Sequence, residues 1–191
     1  MCGRYTLYTG EQAEEIRQII DIAQRQAQGQ LKLGEVFPSD RAPILVANQN
    51  KVVVRTAIWG FPGVRGKGLL INARSETAEE KPMFRRPLLT SRCVIPTSGF
   101  YEWDKTKEKF LFQYPNSTVV YLAGLWGEFD GKRRYTILTT EPNQAVAAVH
   151  NRMPVLLAKD QVRFWLMDTL AALSMLHQVP PDLVGRRVES K

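Results

Sequence analysis

The stretch "TVVYLAGLWGEFDGKRRYTILTT", residues 118–140, decides the architecture. Two runs rich in β-branched and aromatic residues flank Asp130 and Gly131, a pair that readily takes the positive φ angles of a two-residue hairpin turn. The stretch therefore predicts two long antiparallel strands. Upstream, "PILVANQNKVVVRTAIWG" (43–60) repeats the pattern around a polar turn at 48–50. Shorter strand candidates are "LLINAR" (69–74), "RCVIP" (92–96), "GFYEW" (99–103) and "KFLFQY" (109–114). Short, turn-linked strands in succession build a largely antiparallel sheet that can curl into a barrel.

Helical periodicity lies towards the two ends of the chain. In "TGEQAEEIRQIIDIAQRQAQG" (9–29), Ala13, Ile16, Ile20, Ala23 and Ala27 recur at three- and four-residue steps. Thr9 and Gln12 have capping-box spacing, and Gly29 can end the helix. Thr140, with Pro142 just inside, reads as the start of a short helix through "NQAVAAV" (143–149). "KDQVRFWLM" (159–167) and "DTLAALSMLHQ" (168–178) predict two more, and the tail "VPPDLVGRRVESK" (179–191) reads as loosely held. The expectation is one α+β domain over 1–191, a barrel-like, largely antiparallel sheet flanked by helices.

Composition narrows the function. At 191 residues, 44% hydrophobic and 24% charged, the chain has the apolar content of one globular core and not that of a disordered segment. No apolar run approaches the ~18 residues of a membrane span. The N-terminus lacks the basic-then-apolar pattern of a signal peptide, so a cytoplasmic protein is expected, nucleoid-associated when bound to DNA; a monomer with no membrane partner is the further expectation. A net charge of +7 favours anionic partners, nucleic acid foremost, against a basic but uninvolved surface. Cys2 and Cys93 are the only cysteines, and pairing them is disfavoured in a reducing compartment. With His150 and His177 they show none of the spacing of a zinc site, so neither metal nor cofactor is expected.

Five stretches place a reactive or anion-binding residue at the edge of an apolar element: "MCGRY" (1–5), "IWG" (58–60), "INARSE" (71–76), "GFYEW" (99–103) and "VHNRMP" (149–154). A cysteine exposed as the first residue would carry an α-amine and a thiol on neighbouring carbons. "LLINAR" reads as a buried strand ending in Asn72 and Arg74 on one face. That pair is either a strand-end hydrogen-bond network or a polar floor that orients a nucleophile and grips a phosphate. Glu102 lies between Tyr101 and Trp103; facing inward, its carboxyl would titrate high enough for acid–base work, and facing outward it is solvated. His150 ends the predicted helix, as a cap favoured by the helix dipole or as a proton-transfer group. His177, on the apolar face of the last helix, reads as structural. Trp59 is a base-stacking or a packing residue. Arg4, Arg74, Arg85, Arg86 and Arg152 flank these sites, while Arg133 and Arg134 read as a solvated hairpin edge.

Taken together, "MCGRY", "WG", "INARSET", "RCVIPTSGFYEW" and "HNRMP" occur in the order seen in the SOS-response-associated peptidase (SRAP) family, which the chain resembles over roughly residues 2–165. The resemblance implies loss of Met1 and covalent shielding of abasic sites in single-stranded DNA through Cys2. It implies Asn72 and Glu102 as polar partners of Cys2, and His150 as the residue aiding ring chemistry and crosslink reversal. By the same resemblance Arg4 and Arg74 contact the DNA backbone, Trp59 and Pro38 wedge against bases, and Arg85 meets a further phosphate. Arg152, beside His150, joins the DNA-binding set. The chain departs from the family in the short, glycine-rich "FPGVRGKG" (61–68) and in Glu35, where relatives often carry asparagine.

The chemistry suits the residues. An α-amine titrates near 7.7–8.0, so a usable fraction is neutral at pH 7, unlike a lysine near 10.4. It can condense with an aldehyde sugar, and the neighbouring thiol can close a five-membered thiazolidine. An open Schiff base would also promote β-elimination, a weak lyase side reaction. A cysteine hydrolase with an N-terminal nucleophile, acting on amides, would use the same residues without DNA.

Overall fold

The structure, a computed structural model, describes residues 2–8, 14–27, 31–63 and 66–189. Met1, Thr9, Gln12, Ala13 and Gly29 lie outside the described residues, and the capping assignments made for them with them. Strand β1 (Arg4–Leu7) leads to helix α1 (Glu14–Ala27), which buries Ile16, Ile19, Ile20, Ala23 and Ala27 as one stripe. After β2 (Gly34–Val36) comes the hairpin β3 (Arg41–Asn48) and β4 (Lys51–Trp59), turning at Gln49 and Asn50 with Gln49 at φ 53°. The short strands β5 (Phe61–Pro62), β6 (Leu69–Leu70) and β7 (Asn72–Arg74) precede α2 (Ser75–Ala78) and α3 (Pro82–Thr90). Then follow β8 (Arg92–Thr97), β9 (Gly99–Trp103), β10 (Lys109–Gln113) and the long hairpin β11 (Val120–Phe129) and β12 (Lys132–Thr140). The chain finishes with α4 (Gln144–Ala147), β13 (Met153–Pro154), β14 (Leu156–Leu157), α5 (Gln161–Met167), α6 (Thr169–Met175) and β15 (Val184–Val188).

The decisive hairpin turns at Asp130 and Gly131, both at positive φ. Strand β12 pairs antiparallel with β11 and parallel with β4, so β12-β4-β3-β8-β11 close into a five-stranded barrel. Closure leaves these strands without a free edge and forces their inward side chains into a narrow interior. At Gly124 a Cβ would sit 2.5 Å from Ile95 Cδ1 and 2.8 Å from the Thr136 carbonyl, so only glycine lets β11 approach so closely. A second sheet, β15-β10-β9-β1-β2, is antiparallel throughout. It joins the barrel at the β8–β9 corner, where the Thr97 hydroxyl and Ser98 N–H both donate to the Thr6 carbonyl, at 2.7 and 2.8 Å. The fold is the expected α+β arrangement, and among the described residues no helix is long and apolar enough to cross a membrane.

One buried charge organises the helices. Arg92, 6% exposed, donates from Nε to the Trp165 carbonyl at 2.6 Å and from Nη1 to those of Leu88 and Leu89. Nη2 reaches the Leu166 carbonyl at 3.5 Å. One guanidinium thereby satisfies final-turn carbonyls of both α3 and α5, which have no partners within their own helices.

Several expectations are corrected. Thr140 is the last residue of β12, and Asn143 caps α4 instead, its Oδ1 accepting the Val146 N–H at 3.0 Å. The helix stops at Ala147, so His150 lies beyond it in the following turn. "LLINAR" is not one buried strand: Leu69 is exposed, because β6 pairs only with the short β5, and the chain breaks at Ile71 before β7. His177 lies past the end of α6 and is exposed, since the apolar stripe of that helix ends with buried Leu176. Within the tail, Val184–Val188 form β15 against β10, and Leu183 is buried.

Candidate active site

The site gathers at the ends of β1, β7 and β9 and the loop after α4. Cys2 is fully buried, its thiol directed to the Arg4 carbonyl 3.8 Å away. Asn72, held at the start of β7 by parallel pairing with Ile137, donates from Nδ2 to the Cys2 carbonyl at 2.9 Å. Its Oδ1 is buried with no partner among the described residues. The amide thus grips the main chain of residue 2 and leaves the thiol alone.

Glu102 is the last but one residue of β9, 2% exposed. Burial pushes its carboxyl up to about 7, so it is partly protonated at neutral pH. The His150 ring nitrogen Nε2 is 3.9 Å from Glu102 Oε2. On its other side, Nδ1 lies 3.1 Å from the Arg152 N–H and 3.2 Å from the Arg152 carbonyl. A neutral ring accepts the N–H and points its own proton at Glu102; a protonated ring donates Nδ1–H to the carbonyl instead. Burial holds His150 below its ordinary value, so the neutral ring dominates at pH 7. Burial, and then Glu102, push the Cys2 thiol far up, so it stays protonated. The cluster is a carboxyl and an imidazole able to exchange a proton, beside a clamped main chain.

The arginines divide. Arg74 is exposed at the end of β7, two residues on from Asn72 and immediately before α2. Arg152 is committed elsewhere: its fork meets Glu76 at 2.6 and 2.9 Å and donates to the Thr139 carbonyl at 2.7 Å. That ion pair, which holds the Glu76 carboxyl below the usual range, ties α2 to β12 and fixes the His150 loop. Arg85 is exposed on α3, which packs beside β8, β11 and α2. Arg4 is stacked over Phe37 and Trp103 and paired with Glu35.

Trp59 is corrected: it is wholly buried and cannot stack on an exposed base. Its indole lies parallel to the Tyr135 ring and tilted against Tyr5, whose hydroxyls share a hydrogen bond of 2.6 Å. Its Nε1–H donates to the Ile71 carbonyl at 3.0 Å, one residue before Asn72. Trp59 therefore positions Asn72 through the backbone. Pro38 is half-buried in a turn from Phe37 to Asp40, held where the Ser39 N–H donates to the Trp59 carbonyl at 2.9 Å. The exposed aromatic on this turn is Phe37, which sequence reasoning missed; only its place beside Pro38 pointed to it.

A closed barrel with a second sheet, a residue-2 cysteine clamped by an asparagine, and a Glu–His pair define the class. Residues 1–191 match the family model described as SOS response associated peptidase (SRAP), and the chain belongs to that family. It is 37% identical over 181 residues to "Abasic site processing protein YoaM" of Bacillus subtilis, covering 87% of this chain and 79% of that protein. It is 25% identical over 144 residues to "Abasic site processing protein YedK" of Escherichia coli, covering 71% of this chain and 65% of the other. A crystal structure of a protein from Bacteroides thetaiotaomicron has the same fold, with a TM-score of 0.81, 22% identity and coverage of 98% and 92%.

Proposed function

We propose that this chain processes abasic sites in single-stranded DNA by joining them to Cys2, after loss of Met1, as a thiazolidine that shields the lesion. The observation that carries the reading is that Asn72 clamps the main chain of a fully buried Cys2, whose thiol that burial pushes well above its ordinary value. That favours the amine as first nucleophile. The names of the relatives support abasic DNA as the substrate.

The α-amine adds to the open-chain sugar aldehyde at C1′, forming a carbinolamine. Protonated Glu102 gives its proton to the departing hydroxyl; water leaves and the imine forms. The thiol then adds to the imine carbon: the S–C bond closes, the π electrons pass to nitrogen, and the thiol proton follows through Glu102 and His150. Reversal uses the same groups in the opposite order, so self-release and weak β-elimination at the imine stage belong to the same chemistry. The family's peptidase activity is assigned to hydrolysis of the Met1–Cys2 bond. Arg74 binds a flanking phosphate, while Arg152 and Trp59 position His150 and Asn72.

Intact-mass measurement with an abasic oligonucleotide tests this. The expected species is the protein without Met1 plus the oligonucleotide minus one water. Cys2→Ala, which keeps an α-amine, is expected to give only an imine that needs borohydride trapping. A stable unreduced adduct in Cys2→Ala would overturn the ring, and turnover of small amides without any adduct would replace the reading with an N-terminal-nucleophile hydrolase.

A further inference from the structure

The outer face of the second sheet carries a cluster that the proposed chemistry leaves unused. Arg4 on β1 and Lys109 on β10 both reach Glu35 on β2. The guanidinium carbon of Arg4 lies 4.2 Å from the Phe37 ring centre and 4.9 Å from that of Trp103, with Nη1 donating to Glu35 Oε2 at 3.1 Å. The Lys109 ammonium sits 4.0 Å over the Tyr101 ring and pairs with the other Glu35 oxygen; its side chain is 7% exposed. One carboxylate thus bridges two cations held in place by aromatic rings. Such a seat suits any single oxyanion, and its occupant here is the chain's own glutamate.

We infer that Glu35 stands in for a nucleic-acid phosphate and sets how weakly this chain holds single-stranded DNA before reaction. The inference rests on the proposed DNA reading. Arg4 is two residues from Cys2, about 7 Å along an extended chain, so a strand whose sugar reacts at residue 2 brings a flanking phosphate close to Arg4. A phosphate and the Glu35 carboxylate repel each other and compete for the same two cations. DNA therefore displaces Glu35 or forgoes the contact, and either outcome lowers affinity. In this chain Arg4 is an occupied phosphate seat.

The test is the affinity of a labelled, intact oligothymidine for the full chain across 50–200 mM salt. Glu35→Gln is expected to bind about tenfold tighter at the low-salt end, with the log–log salt slope steeper by about 0.7 for each cation released. Glu35→Gln/Lys109→Gln removes one charge of each sign and leaves no buried ammonium unpaired. It decides the matter if the single variant fails to fold: it is expected to bind tighter and with a steeper slope than the native chain, at unchanged net charge. Glu35→Asp is expected to keep the native slope. A double variant with native affinity and slope would overturn the inference, since a structural ion pair does not alter counterion release. Crosslinking of the native chain to abasic DNA is scored separately. A crosslink without the affinity gain sinks the role of Glu35 alone, and the gain without a crosslink sinks the covalent reading alone.

Discussion

Glu102 is the residue whose environment matters most for turnover. Its carboxyl titrates near 4.5 in an unfolded chain and near 7 in the fold, because charging it means desolvating it. The folded state thus holds the proton more tightly. The stabilisation from that proton is complete below about 4.5 and is lost as pH rises towards 7. Glu102→Gln should therefore gain stability relative to the native chain between pH 4.5 and pH 8, by about 2–3 kcal/mol, read from urea denaturation at both pH values. The rate of adduct formation should rise with neutral amine and fall above about 7 as Glu102 loses its proton, and Glu102→Gln should lack that falling limb. Asn72 and Glu102 stood out in the sequence as polar residues in apolar runs, and His150 as an imidazole closing a predicted helix, but each carried a structural reading as well, and only the family resemblance joined them to Cys2. The burial of Trp59 was not legible, since a tryptophan before a glycine reads the same whether it faces solvent or the core. Tyr5 and Tyr135, distant in sequence, surround it.

Among the elements, the two hairpins were readable because turn chemistry and strand propensity coincide at Asp130 and Gly131 and at 48–50. The interruption between β6 and β7 was not, because "LLINAR" has unbroken strand character and only the short β5 partner limits it. Arg92 escaped notice for a similar reason: nothing local shows that the ends of α3 and α5 converge on one strand. Arg92→Leu should leave the carbonyls of Leu88, Leu89, Trp165 and Leu166 without their donor. A loss of about 2–4 kcal/mol in urea denaturation is expected, with partial recovery in Arg92→Lys, whose ammonium cannot span both helices.

At the scale of the whole molecule, the second sheet is assembled from both ends of the chain, β1 near its start and β15 near its finish. Five residues of β15 pair with β10, Gly185 lies flat against Phe112, and Leu183 is buried. Removing residues 182–191 is therefore expected to cost about 2 kcal/mol or more through Leu183 and the exposed face of β10, measured as a lower denaturation midpoint. No residue of the Cys2 cluster lies in that segment, so adduct formation below the midpoint is expected to persist; its loss would show that the sheet transmits strain to β9.

The sequence by itself determined the α+β class, most of the strands and the residue types able to do the chemistry, because periodicity, turn dipeptides and isolated polar residues are local signals. Tertiary structure alone decided which of those residues meet. The Asn72–Cys2 hydrogen bond spans 70 positions, Arg152 is claimed by Glu76, Trp59 is sealed inside the closed barrel, and Arg4 is neutralised by a glutamate on the neighbouring strand. Burial and partnership are products of strand pairing between distant segments, and no local pattern encodes them.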